Sequence, residues 1–115
     1  MLRGQTISVI IPCKNEASAL KVVFEKLPKE INEVIVINNS SKDETEKIAK
    51  KFGAKVFSET RNINGIGYGF ALATGIKNAT SSIIVCMDGD GSYPVWEIPR
   101  LVTILQQKKL DFISC

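Results

Sequence analysis

Two carboxylates one residue apart, Asp88 and Asp90, follow the apolar run SIIVCM, with Gly89 between them. Acids at the end of so hydrophobic a run are costly unless they are paired or bind a metal. In an extended loop, side chains at i and i+2 converge on one hard cation, and Gly89 lets the backbone bend between them. Mg2+ or Mn2+ favours such oxygen donors and completes its shell with water and phosphate oxygens. Held against a diphosphate, the cation would neutralise charge as a leaving group departs. The plain alternative is a turn, which Asp-Gly pairs commonly mark.

Three further polar clusters follow apolar runs: Cys13 to Glu16, Asn38 to Asp43, and Glu59 to Asn64. Gly65, Gly67 and Gly69 form a G-x-G-x-G stretch. A dinucleotide fingerprint should follow the first strand and open the first helix. These glycines come after the third strand, so NAD is not expected. They either bring a helix N-terminus close to a phosphate or allow a helix to pack tightly on a sheet. The chain has no histidine, which removes Ser-His-Asp and Cys-His nucleophiles and histidine metal sites. Cys13, Cys86 and Cys115 include no C-x-x-C pair; those in or beside apolar strands read as reduced, small core residues of a cytoplasmic protein. A net charge of +3 is too small an excess to imply nucleic acid. The apolar runs are strand-sized, far short of the ~20 residues a membrane-spanning helix needs.

The elements that must position these clusters alternate along the chain. Ile7 to Pro12 reads as a strand buried on both faces. A helix from about Ala17 to Leu27 carries Leu20, Val23, Phe24 and Leu27 on one side, and Pro28 ends it. Val34 to Ile37 is a second buried strand, and Asp43 to Phe52 a helix with Ile48, Ala49 and Phe52 on one side. Ala54 to Ser58 is a short third strand. Gly67 to Ala79 is a helix of small residues, suited to close packing. Ser82 to Met87 is a fourth buried strand. Glu97 to Lys108 is a helix whose apolar face is Leu101, Val102, Ile104 and Leu105, with Pro99 in its first turn. Leu110 to Ser114 begins a fifth strand, so residues 1–115 read as a single, truncated domain. This order predicts a Rossmann-like α/β fold with a doubly wound, mainly parallel sheet. Ligands bind beyond the carboxyl ends of such strands, so all four polar clusters are expected to face one crevice.

The succession VIIPCKNE, VIVINNSSKDET, GIGYGFALATGI and IIVCMDGDGSYP resembles family 2 glycosyltransferases of the GT-A fold. The nearest branch is the polyprenyl- or dolichyl-phosphate sugar transferases, and the match runs from about Ser8 to the end. The resemblance implies a nucleotide-diphospho-sugar donor, UDP- or GDP-linked, and an Mg2+ or Mn2+ ion. It implies that Pro12, Lys14, Asn15 and Glu16 line the nucleobase pocket, with Asn38 at the base-contacting position. Gly65 and Gly67 join them as nucleotide-binding positions if the helix N-terminus approaches a phosphate. Asp88 and Asp90 are implied to handle ribose, metal and diphosphate. For Glu16 the alternative is a helix-start acid favoured by the dipole, and for Asp43 a plain N-cap.

Two residues depart from the family pattern. Asn38 stands where the family usually has an Asp, and an amide both donates and accepts, so the base is open. Ser92 stands where the branch often has a Gln that also contacts the metal. The family's second half supplies the acceptor site and the catalytic base, so no base is named, and Asp111 reads as a strand-boundary residue. The implied acceptor is unassigned, a lipid-linked polyprenyl phosphate among the candidates. That would put the chain at the cytoplasmic membrane face, in glycan or cell-envelope biosynthesis. The rival readings are a non-catalytic nucleotide-binding remnant or regulatory α/β module, and a sugar-nucleotide nucleotidyltransferase. The last wants a Gly-rich, basic loop after the first strand, where KNEASAL stands.

Overall fold

The computed structural model describes residues 2–39, 44–61 and 67–109. The elements are β1 (Ile7–Cys13), α1 (Ala17–Glu25), β2 (Glu33–Asn38), α2 (Thr45–Lys51), β3 (Lys55–Ser58), α3 (Tyr68–Asn78), β4 (Ile83–Cys86), a 3-10 turn (Val95–Glu97) and α4 (Ile98–Gln107). The strands form one parallel sheet in the order β3-β2-β1-β4. β1 pairs with β2 from Ser8 opposite Glu33 to Cys13 opposite Asn38, and with β4 from Ile7 opposite Ile83 to Ile10 opposite Cys86. The chain steps outward from β1 to β3, and α3 then carries it back to the far side of β1. The direction of winding therefore reverses between β1 and β4, as in the doubly wound sheet that the alternation predicts.

Every residue of β1 is buried, as a central strand with both faces covered must be. On one face Ile7, Val9 and Ile11 pack with Leu20, Val23 and Phe24 of α1, Ala49 of α2, and Ile98 and Val102 of α4. On the other, Ile10, Ile35 and Ile37 pack with Ala71 and Leu72 of α3. Each such isoleucine contributes about 1.5–3 kcal/mol by leaving water. The small residues of α3 serve close packing: a Cβ on Gly75 would lie 2.3 Å from Ile10 Cγ2.

Several boundaries and faces differ from expectation. α1 stops at Glu25, and Leu27 packs against the core from outside the helix. Pro28 explains this, because the residue before a proline avoids helical geometry. In α2 the buried residues are Thr45 and Ala49, while Ile48 is half-buried and Phe52 caps the helix. Phe52 remains 39% exposed, yet its ring stacks on Phe24 with centroids 5.1 Å apart. In α4, Ile98 and Val102 are buried and Leu105 packs against the core, whereas Leu101 and Ile104 are only half-buried.

The fourth strand is the main correction. Rather than being buried on both faces, it alternates, with Ile83 buried and Ile84 and Cys86 exposed. α3 packs over β1 and β2, so the α3 side of β4 stays open among the described residues. Cys86 is therefore not a core residue, whereas Cys13 is. The expected fifth strand, with Asp111 and Cys115, lies outside the described residues, as do Asp43 and Gly65.

Candidate functional site

Parallel pairing brings the carboxyl ends of the four strands to one edge, and backbone bonds extend it. Asn39 N donates to Cys13 O at 2.9 Å, Glu59 N to Asn38 O at 3.1 Å, and Met87 N to Ile10 O at 3.0 Å. Because Ile10 pairs with Cys86, the residues after β4 run alongside the last residues of β1. Gly89 is buried there: a Cβ would lie 2.6 Å from Cys13 Sγ, 3.1 Å from Ile11 Cγ2 and 3.7 Å from Glu16 Oε2. The glycine lets the loop rest on the end of β1, with Asp88 and Asp90 exposed on either side. Gly89, between the paired acids, thus sits beside Glu16 where the strand order reverses, the position at which doubly wound sheets bind ligands.

Asp90 Oδ1 accepts bonds from Ser92 Oγ at 2.6 Å and Ser92 N at 2.9 Å. The side-chain bond first, then the backbone bond, hold its carboxyl below the usual range. Ser92, which occupies the position of a further metal contact in the resembling branch, is thereby bound to Asp90. Glu16 receives Lys14 N at 3.1 Å, and its own amide donates to Oγ1 of the buried Thr45 at 3.2 Å. Lys14 and Asn15 are exposed, and Asn15 takes a left-handed φ of 55°, which Asn tolerates better than most residues. Pro12 lies buried within β1.

Asn38 is half-buried, and its Nδ2 donates to Glu46 Oε2 at 3.2 Å, joining it to α2. Bonds from Lys50 first, and then from Asn38, hold the Glu46 carboxyl below its ordinary range. Asn39 Nδ2 donates to Gly67 O at 3.0 Å. A Cβ on Gly67 would stand 2.3 Å from that Nδ2 and 2.9 Å from Arg61 O. Close packing therefore accounts for a glycine at 67. The structure brings Glu16 to Gly89 and Asn39 to Gly67, but does not gather Glu16, Asp88 and Asp90 into one cluster.

Thr45 escaped the sequence reading, and Glu59 entered it only as the first residue of a polar cluster. Thr45 is a buried hydroxyl on α2 that holds the start of α1. Glu59, directly after β3, accepts bonds from Arg61 N, Nε and Nη2 and from Thr74 Oγ1. Arg61 and then Thr74 hold its carboxyl down to about 2. The E-x-R spacing at a strand end was a signal for the first partner; Thr74, on another element, had none.

Among the described residues no three acids, cysteines or histidines gather to enclose a metal ion. Two exposed carboxylates suit a cation that draws most of its shell from water and phosphate oxygens, as Mg2+ and Mn2+ do. An open depression of ≈ 310 Å3 lies at the opposite edge, lined by Phe24, Leu27, Glu33, Phe52 and Lys55. It sits at the amino ends of β2 and β3, so we place the candidate site at the carboxyl edge, where loops and charges converge.

A glycosyl transferase family 2 model matches residues 8–115, and the chain belongs to that family. It is 35% identical over 113 residues to an uncharacterized glycosyltransferase of Mycobacterium tuberculosis, spanning 98% of this chain and 49% of that protein. The dolichol-phosphate mannosyltransferase of Pyrococcus furiosus is 29% identical over 108 residues, 87% of this chain and 30% of that one. Glucosyl-3-phosphoglycerate synthase from M. tuberculosis, solved with Mn2+, UDP-glucose and phosphoglyceric acid, matches with a TM-score of 0.73 and 30% identity. That match covers 89% of this chain and 39% of the synthase, and shows that the sheet has the GT-A arrangement. The chain spans about half the length, or less, of these relatives. Among the described residues no helix is long and apolar enough to cross a membrane.

Proposed function

We propose that the chain binds a nucleotide-diphospho-sugar, UDP- or GDP-linked, together with Mg2+ or Mn2+, in a glycosyltransferase that passes the sugar to an acceptor. The observation that carries this reading is the seat of Gly89 on Cys13 beside Glu16, which presents two carboxylates at the switch point. Asp88 and Asp90 hold the cation, and Asp88 also faces the nucleotide. When bound, the cation offsets the charge of the departing diphosphate. Pro12, Lys14, Asn15, Glu16 and Asn38 form the nucleobase side, and the resemblance assigns Gly65 and Gly67 to the phosphate side, where Gly67 also serves close packing against Asn39. Ser92 holds the Asp90 carboxyl below its ordinary range through its hydroxyl and its amide.

Two relatives favour an acceptor that bears a phosphate: one is named for dolichol phosphate, and the other was solved with phosphoglyceric acid. A polyprenyl-phosphate acceptor would bring the chain to the cytoplasmic membrane face. The second reading, a nucleotide-binding module without transfer, is favoured by Asn38, whose amide is bonded to Glu46 where the family usually has an Asp.

Calorimetric titration of UDP- and GDP-sugars, with and without Mn2+, tests the donor reading in the wild type and Asp90→Ala. Mn2+-dependent binding that Asp90→Ala abolishes is the expected result. Binding that ignores both the metal and the substitution would sink the paired-acid assignment.

A further inference from the structure

The paired acids give no role to Glu59 or Arg61, yet the two belong to a continuous set of contacts that reaches the candidate site. Glu59 is 8% exposed, an unusual place for a carboxylate at a strand end. Its four bonds come from Arg61 N and Nε at 3.0 Å, Arg61 Nη2 at 2.6 Å and Thr74 Oγ1 at 2.7 Å. They fix Arg61 in one direction. Its guanidinium lies 5.0 Å over the Phe70 ring on the first turn of α3. Its carbonyl faces Gly67 so closely that only a glycine fits. Gly67 O accepts the first bond of α3, from Ala71 N, and also Asn39 Nδ2. Asn39 N in turn donates to Cys13 O, where the Lys14 to Glu16 loop begins. Contacts thus run from Glu59 through Arg61, Gly67 and Asn39 to the end of β1.

We propose that Glu59 and Arg61 are positioning residues for nucleotide binding, holding the first turn of α3 and Asn39 in the arrangement the donor needs. The inference rests on the donor-binding reading above. Neither side chain touches the nucleotide in this account; they act through Gly67 and Asn39. Substitutions that act at such a remove change affinity by a factor of roughly 10. A merely structural clasp would change stability and leave affinity alone.

Glu33, at the opposite edge, supplies the control, because it too is a carboxylate held by four donor contacts. UDP and GDP are titrated with Mn2+ into the wild type, Glu59→Gln, Thr74→Val, Thr74→Ser and Glu33→Gln. Amide exchange at Ala71 is followed without nucleotide. Glu59→Gln and Thr74→Val are expected to weaken binding roughly 10-fold and to speed exchange at Ala71. Thr74→Ser keeps the hydroxyl and should restore both, and Glu33→Gln should leave affinity within about twofold. If Glu59→Gln does not fold, the Thr74 pair answers the question. Unchanged affinity in folded Glu59→Gln or Thr74→Val overturns the positioning role alone, as does an equal loss in Glu33→Gln. Failure of the wild type to bind either nucleotide overturns the donor reading and the positioning role together.

Discussion

The two edges of the sheet treat acids in opposite ways. At the amino edge Glu33 is tied to Ser8 on β1, to Lys55 on β3, and to the amide and hydroxyl of Thr80 after α3. Burial raises its carboxyl pKa, but those bonds outweigh the effect and leave it at about 2. At the carboxyl edge Asp88 and Asp90 stay exposed, and Asp90 is tied to its own loop through Ser92. Glu59 shares that edge yet resembles Glu33, with its carboxyl also near 2. An edge sewn shut by its own charges serves the fold. The other edge uses one acid as scaffolding and leaves two facing water, as the proposed donor site requires.

Four perturbations separate these roles, the first with the largest effect. Gly89→Val forces a side chain against Cys13 Sγ and Ile11, and overpacking of this kind costs about 1–3 kcal/mol. Both the Tm, by roughly 4 °C or more, and Mn2+-dependent nucleotide affinity should fall; loss of Tm with full affinity would detach the loop's seat from binding. Gly67→Ala meets Asn39 and the Arg61 carbonyl, and should weaken nucleotide binding more than it lowers Tm. Comparing thermal scans with titrations checks that order.

The third concerns acid. Glu33 and Glu59 both have folded pKa values near 2, below the ordinary 4.5. A depressed folded value means the unfolded chain binds protons first, so their stabilisation is present above pH 4.5 and is lost as pH falls toward 2. Tm measured across that window should drop less steeply in Glu33→Gln and Glu59→Gln than in the wild type. The smallest effect belongs to Ser92→Ala, which removes the hydroxyl bond to Asp90 and leaves the backbone one. It should raise the Asp90 pKa toward its ordinary value and weaken Mn2+-dependent binding by less than about twofold near pH 4 but hardly at pH 7. Equal weakening at both pH values would mean Ser92 contributes by some other route.

Much of this fold was readable residue by residue. ISVIIP reads as a central strand because it has no polar face to show water, and β1 is fully buried. SIIVCM reads the same way, yet Ile84 and Cys86 are exposed. Composition records what a strand can bury, whereas topology decides which helix reaches it. The paired acids were legible from spacing, but not what seats them, since the contact of Gly89 with Cys13 depends on the β1–β4 register. Glu59 read as the first residue of a polar cluster, and Thr45 as one residue within the Asp43 to Phe52 helix. Their partners lie on other elements, and no local pattern announces them.

The order β3-β2-β1-β4 also sets when the site can exist during synthesis. β1, β2 and β3 are neighbours both along the chain and across the sheet, so they can pair as they leave the ribosome, amino end first. β4 must wait for three crossovers and then close on β1 over the longest span, the slowest kind of pairing to form. Gly89 has nothing to rest on until that closure, so the paired acids acquire their seat last. Pulse-labelled exchange should find β2 amides protected before those of β4, and a nucleotide with Mn2+ should hasten only the later step.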